Sequence, residues 1–118
     1  VLEDRAKWIS EWKDLVTKIS SDPISGKMLM VDILNEPDER NIGWDTLKDL
    51  YISVMDAVFP VNSGILFFVQ GTGQTDRGTN WGDGFATNIN TGSAKGFFDI
   101  LITKPYLNQV VISPHVYP

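Results

Sequence analysis

A carboxyl group stands at the end of an apolar run early in the sequence. The run from Met28 to Leu34 is interrupted by Asp32 and stops at Asn35-Glu36-Pro37. Met, Leu, Val and Ile in succession are typical of a strand buried on both faces, as in parallel sheets. Pro37 has no N–H for a ladder and favours an extended backbone at Glu36, so the strand ends there. Since α/β folds place active sites at this end of a strand, Glu36 is the first candidate for a catalytic acid.

The flanking sequence predicts an alternation of helices and strands. Apolar side chains recur every three or four residues in the helices, and short unbroken apolar runs mark the strands. The predicted elements, in chain order, are a helix over Arg5–Ser20, a strand over Met28–Leu34, a helix over Trp44–Phe59, a strand over Ile65–Val69, a short helix over Ala94–Leu101 and a strand over Gln109–Ser113. Because a crossover of helix length separates successive strands, the sequence predicts an α/β fold with parallel pairing.

Polar residues follow each predicted strand. Gln70 comes after the second strand, and His115 and Tyr117 come after the third. Parallel strands point in one direction, so we expect these side chains and Glu36 to share one edge of the sheet. A carboxyl group, an imidazole and a phenol at one edge suit acid–base catalysis. The alternatives are a solvated turn at Glu36 and a structural role for His115.

A long glycine-rich loop is predicted over residues 71–92. It holds six of the 10 glycines and a single tryptophan, Trp81. A loop of this length in a small domain is usually functional or disordered, and its start at the same edge as Glu36 favours function. Trp81 is then either an apolar platform for a sugar ring or an anchor that packs the loop. Dinucleotide, P-loop and serine-hydrolase motifs are absent from the sequence.

Composition argues against several classes of partner. The 118 residues carry a net charge of −5 without a basic cluster, which argues against nucleic acid and anionic membrane surfaces. With one histidine and no cysteine, a transition-metal site is not expected, and Asp76, Asn80 and Asp83 miss the spacing of an EF-hand. No apolar stretch reaches the roughly 20 residues of a membrane span, and no signal peptide is visible. We expect no cofactor.

Two strand ends resemble those of one enzyme family, in the same order. Asp32-Ile-Leu-Asn35-Glu36-Pro37 resembles the fourth strand of glycoside hydrolase family 5, the (β/α)8 cellulase family, and Ser113-Pro114-His115-Val116-Tyr117 is similar to its sixth strand. The segment Ile65–Gln70 fits the fifth strand between them. The segment Asn80–Phe85 is also similar to a loop of some cellulase-like members. The resemblance spans nearly the whole chain.

The resemblance implies a retaining endo-β-1,4-glucanase with Glu36 as general acid/base. Asn35 would hydrogen-bond the sugar next to the cleaved bond, while His115 and Tyr117 would line the subsite and orient the nucleophile. Trp81 would bind substrate by stacking on a pyranose face. Asp32 is predicted to be a buried, hydrogen-bonded structural acid rather than a second catalytic group. Mannan and xylan are the alternative substrates within the family.

The sequence also departs from the family. The nucleophile of the family is a glutamate on the seventh strand, about 5 Å from the acid, and these 118 residues contain no counterpart. A full barrel needs roughly 250 residues. We therefore expect one partial (β/α)8 TIM barrel domain over residues 1–118, about half a barrel with three or more parallel strands, running from the third helix to the sixth strand. The alternative function is a non-catalytic fragment or a carbohydrate-binding half-barrel.

The partial barrel has consequences for partners and location. Three parallel strands would leave two open edges and an apolar face, which predicts a homo-oligomer. The predicted partner is a β-1,4-glucan polysaccharide, without nucleic acid or membrane. A polymeric substrate of this kind also predicts a secreted, extracellular protein.

Overall fold

A computed structural model describes residues 3–37, 41–72, 80–81, 84–85 and 92–116. The helices and strands are α1 (Arg5–Ser20), β1 (Met30–Asp32), α2 (Trp44–Val58), β2 (Leu66–Val69), β3 (Asn80–Trp81), α3 (Lys95–Leu101), β4 (Val110–Ile112) and β5 (His115–Val116). Short 3₁₀ helices over Ser25–Met28 and Leu107–Gln109 lead into β1 and β4. All six predicted elements are present, but each of the three predicted strands is shorter than expected.

Three parallel strands form the main sheet in the order β1-β2-β4. Val31 lies beside Phe67, and Phe67 lies beside Val110 on its other side. Hydrogen bonds from Ile33 N–H to the Phe68 carbonyl and from Ser113 N–H to the Val69 carbonyl continue the pairing beyond the strands. The predicted α/β fold with a parallel sheet and flanking helices is therefore confirmed. We call the end of the sheet where β1, β2 and β4 finish the carboxyl edge.

Helix α2 lies at the centre of the helical layer, because both α1 and α3 pack against it. Its buried side chains recur at the spacing of one helix face: Trp44, Leu47, Leu50, Tyr51, Val54, Met55 and Val58. They join Val31, Phe67 and Val69 of the sheet in one apolar cluster. Each fully buried aliphatic side chain stabilises the fold by about 1.5–3 kcal/mol, so this face of α2 is the main attachment of the helices to the sheet.

The opposite face of the sheet is not covered in the same way. Strand alternation places Met30, Asp32, Leu66, Phe68 and Val111 on this second face. Met30 is 58% exposed and Val111 is 36% exposed, whereas Phe67 and Val69 on the helical face are fully buried. The prediction of strands buried on both faces is therefore wrong for this structure. An unbroken apolar run does not reveal which of its two faces is covered.

The segment before β4 is tied to the second half of α2. The Tyr106 hydroxyl donates to Asp56 Oδ1 at 2.7 Å, and Lys104 Nζ lies 2.8 Å from the other oxygen of that carboxylate. The Tyr106 ring packs against Phe59 and Phe67. Burial, followed by the hydrogen bond and negative charge of Asp56, raises the pKa of Tyr106 well above its usual value.

A second, antiparallel pair of strands was not predicted from the sequence. Strand β3 pairs with β5, with Asn80 opposite Val116 and Trp81 opposite His115. This pairing brings part of the glycine-rich segment next to the residues that follow β4.

None of the helices in the described part of the chain has the length and apolar character that a membrane crossing requires.

A close backbone contact fixes Gly71, the first residue after Gln70. A Cβ atom there would lie 2.7 Å from the carbonyl oxygen of Gly84, which is backbone and has little room to move. We expect Gly71→Ala to lower the free energy of unfolding by about 1–3 kcal/mol, measured by urea denaturation.

The matched control for this substitution is Gly64→Ala. The new Cβ would lie 3.5 Å from the Asn62 side-chain oxygen, an ordinary contact. We expect a change below about 0.5 kcal/mol. Equal effects of the two substitutions would contradict the role of the Gly71–Gly84 contact.

Candidate functional site

The side chain of Gln70 joins two strand ends at the carboxyl edge. Gln70 is completely buried. Its Oε1 accepts a hydrogen bond from the Glu36 N–H at 3.0 Å, and its Nε2 donates to Asp32 Oδ2 at 2.8 Å. Because a carboxylate only accepts, the Asp32 contact determines which end of the amide faces Glu36. The amide of β2 thus links the end of β1 to the peptide of the candidate acid.

Tyr51 of α2 holds the backbone of Gln70. Its hydroxyl donates to the Gln70 carbonyl at 2.7 Å and accepts from the Gln70 N–H at 3.1 Å. The helical periodicity of the sequence does not predict this contact. The available signal was a phenol among aliphatic neighbours on the apolar face of α2, since a buried tyrosine hydroxyl usually has a partner.

Glu36 has a left-handed backbone conformation, with φ at 44°. The prediction of an extended backbone before Pro37 was therefore wrong. Such a conformation costs a residue other than glycine on the order of 1–3 kcal/mol and persists only where neighbouring contacts impose it. The hydrogen bond from the Glu36 N–H to Gln70 is one such contact, and the adjacent Pro37 is buried.

The side chain of Glu36 contacts the imidazole of His115. Glu36 Oε1 lies 2.8 Å from His115 Nδ1. The Glu36 side chain is 14% exposed and that of His115 is 31% exposed, so the carboxyl group is largely shielded while the imidazole retains access to solvent. Glu36, Gln70 and His115 therefore meet at the carboxyl edge, as the sequence predicts. A shielded carboxyl group beside an imidazole is able to hold and exchange a proton.

The sequence also predicts Asn35, Trp81 and Tyr117 as site residues. Asn35 is exposed, directly before Glu36. The backbone of Trp81 pairs with that of His115. Tyr117 lies outside the described residues. Asp32 is hydrogen-bonded as predicted, but it is exposed rather than buried, since it faces the uncovered side of the sheet.

Three backbone and side-chain contacts hold Gly84 and Thr72 near this edge. Trp44 Nε1 donates to the Gly84 carbonyl at 2.7 Å, and the Thr72 N–H donates to the same oxygen at 3.1 Å. The Thr72 hydroxyl donates to the Ile42 carbonyl, and Thr72 is completely buried. Sequence reasoning missed both Trp44 and Thr72 as anchors. Together they attach the glycine-rich segment to the start of α2.

The chemistry available at the edge is that of carboxyl, amide and imidazole groups. Within the described residues, no group of three or more His, Cys, Asp or Glu side chains is arranged to hold a metal ion. The contacts of Glu36 and Asp32 instead run to an imidazole and an amide. Proton transfer is thus the chemistry that these side chains support best.

Comparison with protein families, with characterised proteins and with solved structures finds no match to this chain. The resemblance to glycoside hydrolase family 5 therefore rests on the two strand-end motifs and their order.

The dependence of this site on Tyr51 is measurable. Tyr51→Phe would leave the buried N–H and carbonyl of Gln70 without the hydroxyl that bonds both. We expect the free energy of unfolding to fall by about 1–3 kcal/mol, measured by urea denaturation.

Tyr106→Phe is the matched control, because it also removes a hydroxyl from a buried tyrosine. The partner of that hydroxyl, Asp56, has a 45% exposed side chain and keeps its contact with Lys104. We expect a smaller loss, about 1 kcal/mol. A Tyr51→Phe loss no greater than that of Tyr106→Phe would contradict the arrangement around Gln70.

Proposed function

We propose that the chain carries the acid/base half of a retaining glycoside hydrolase site that acts on β-1,4-glucan, with Glu36 as the general acid/base. The observation that carries the proposal is the 2.8 Å contact between Glu36 Oε1 and His115 Nδ1 at the carboxyl edge. It joins the two motifs, Asn35-Glu36-Pro37 and His115-Val116-Tyr117, whose order resembles family 5. Sequence order alone does not require such motifs to meet.

The proposed chemistry places two successive demands on Glu36. It first protonates the glycosidic oxygen as the bond to the anomeric carbon breaks, and it then deprotonates the water that releases the sugar. Shielding from water favours the protonated form of a carboxyl group, which is the form that the first of these steps needs. His115 fixes the direction of the carboxyl group through their contact. The exposure of Asn35 supports a role for its side chain in hydrogen-bonding the neighbouring sugar.

The second carboxylate of the mechanism is assigned from the family resemblance. A retaining site needs a nucleophile about 5 Å from the acid. Asp32 is engaged by the Gln70 amide at 2.8 Å, which favours a structural role for it. Following the family resemblance, we assign the nucleophile to a further strand of a (β/α)8 barrel, of which these residues form a part. Trp81, Tyr117 and the glycine-rich segment would line the substrate cleft.

Glu36→Gln tests the proposal directly. The amide has nearly the same shape but carries no acidic proton. In a protein that includes the strand with the nucleophile, we therefore expect release of reducing sugar from carboxymethylcellulose to fall by about 10²–10⁴-fold. Affinity for cello-oligosaccharides, measured by isothermal titration calorimetry, should change little. Glu11→Gln is the matched control, because the Glu11 side chain is 64% exposed on α1 and its loss should leave both measurements unchanged.

The other outcomes are equally informative. Equal and measurable turnover by wild type and Glu36→Gln would remove Glu36 from the mechanism. Binding of cello-oligosaccharides without turnover, by the wild-type protein that includes the strand with the nucleophile, would favour the carbohydrate-binding alternative. Neither binding nor turnover of glucan, mannan or xylan would overturn the proposal.

Self-association is a further part of the proposal. The second face of the sheet exposes Met30 and Val111 at the two edge strands, and a second copy would cover this apolar surface. We expect sedimentation velocity at micromolar concentration to show a dimer that Met30→Lys weakens. Ile24→Lys is the control, because Ile24 is 75% exposed outside the sheet. A monomeric wild type would contradict the homo-oligomer.

Secretion remains a prediction from the polymeric substrate.

A further inference from the structure

We propose that Asp32 and Gln70 are positioning residues that set the carboxyl group of Glu36 against His115. The catalytic value of this arrangement rests on the proposed function, but the arrangement itself does not. Two hydrogen bonds run from Asp32 through the Gln70 amide to the Glu36 peptide.

The direction of the Gln70 amide is set by Asp32. An amide side chain has one accepting and one donating end, while an ionised carboxylate only accepts. Asp32 Oδ2 therefore takes the Nε2 end at 2.8 Å and leaves Oε1 to accept the Glu36 N–H at 3.0 Å. With the amide reversed, an N–H donor would face another donor. Asp32 thus acts on Glu36 through Gln70, without a direct contact.

The Gln70 amide starts from a fixed backbone. The Tyr51 hydroxyl bonds both the N–H and the carbonyl of Gln70, and the residue is fully buried, so its side chain has few other positions. The bond from Oε1 then holds the peptide of a residue whose backbone is left-handed. If that bond is lost, Glu36 can relax toward ordinary φ values, and its carboxyl group moves away from His115.

The inference is tested by reversing the donor and acceptor pattern. In Asp32→Asn, the asparagine Oδ1 can still accept from Gln70 Nε2, and its amino group can face solvent because position 32 is exposed. In Gln70→Glu, two carboxyl groups face each other. In the double variant the asparagine amide donates to the glutamate at position 70, whose other oxygen accepts the Glu36 N–H. Gln70→Glu alone should therefore disturb Glu36, Asp32→Asn alone should disturb it little, and the double variant should restore it.

His115 reports the outcome without any substrate. It is the single histidine of the sequence, so its imidazole nitrogens are identified in ¹⁵N NMR spectra without assignment. Glu36→Ala gives the reference for a lost contact at a fixed pH. We expect Gln70→Glu to move the Nδ1 resonance more than halfway toward that reference, and Asp32→Asn to leave it near the wild-type position. The double variant should return it to the wild-type position, with urea midpoints recorded to show that each protein is folded.

Two results would overturn the inference. One is a wild-type His115 spectrum in a folded Gln70→Glu variant. The other is a double variant that folds without restoring the spectrum, which remains decisive if Gln70→Glu alone does not fold. If the wild type hydrolyses glucan, kcat should fall on the order of 10- to 100-fold in Gln70→Glu and recover in the double variant. Absence of hydrolysis in every variant, with the spectral pattern intact, would count against the proposed function alone.

Discussion

A buried glutamine amide is the constraint on which the carboxyl edge depends. Gln70 has no exposed surface, and its backbone N–H, its carbonyl and both ends of its side chain each have a hydrogen-bond partner. Leaving any one of these groups unpaired in the interior would cost about 1–3 kcal/mol. Satisfying all of them requires α2 and the ends of β1 and β2 to take fixed relative positions. These polar contacts therefore determine the geometry of the carboxyl edge more strictly than the neighbouring apolar contacts do.

The same contacts account for the unusual backbone of Glu36. A left-handed φ before a proline is unfavourable by itself, and it is maintained because the Glu36 N–H has a well-placed acceptor and Pro37 is buried. In this conformation the Glu36 side chain meets His115, which follows the outermost strand of the sheet. The left-handed backbone of Glu36 therefore accompanies a side-chain contact between Glu36 and His115, which are far apart in sequence.

Sequence patterns predicted the elements well where hydrophobic periodicity is strong. The helical spacing of apolar residues in α1 and α2, and the apolar runs around β1, β2 and β4, led directly to the parallel sheet. The convergence of Glu36, Gln70 and His115 followed, because parallel strands end at a common edge. Periodicity carries no information on the two-residue strands β3 and β5, which depend on pairing with each other.

Individual contacts were harder to predict, for physical reasons. The phenol of Tyr51 occupies an apolar position of α2, and nothing in the local sequence names Gln70 as its partner. Asp32 was expected to be buried, yet the side of the sheet that it faces is uncovered. The conformation of Glu36 was mispredicted because the local preference before proline is overridden by a tertiary hydrogen bond. The proposed role of Glu36 in acid–base catalysis is supported by its contact with His115 and by the two strand-end motifs.

The most direct test of that role is a crystal structure of the Glu36→Gln variant with a cello-oligosaccharide. Our account predicts that the sugar chain crosses the carboxyl edge, with one glycosidic oxygen within about 3 Å of the side-chain amide of residue 36. Binding of the oligosaccharide elsewhere on the surface, or with every glycosidic oxygen beyond hydrogen-bonding reach of residue 36, would contradict it.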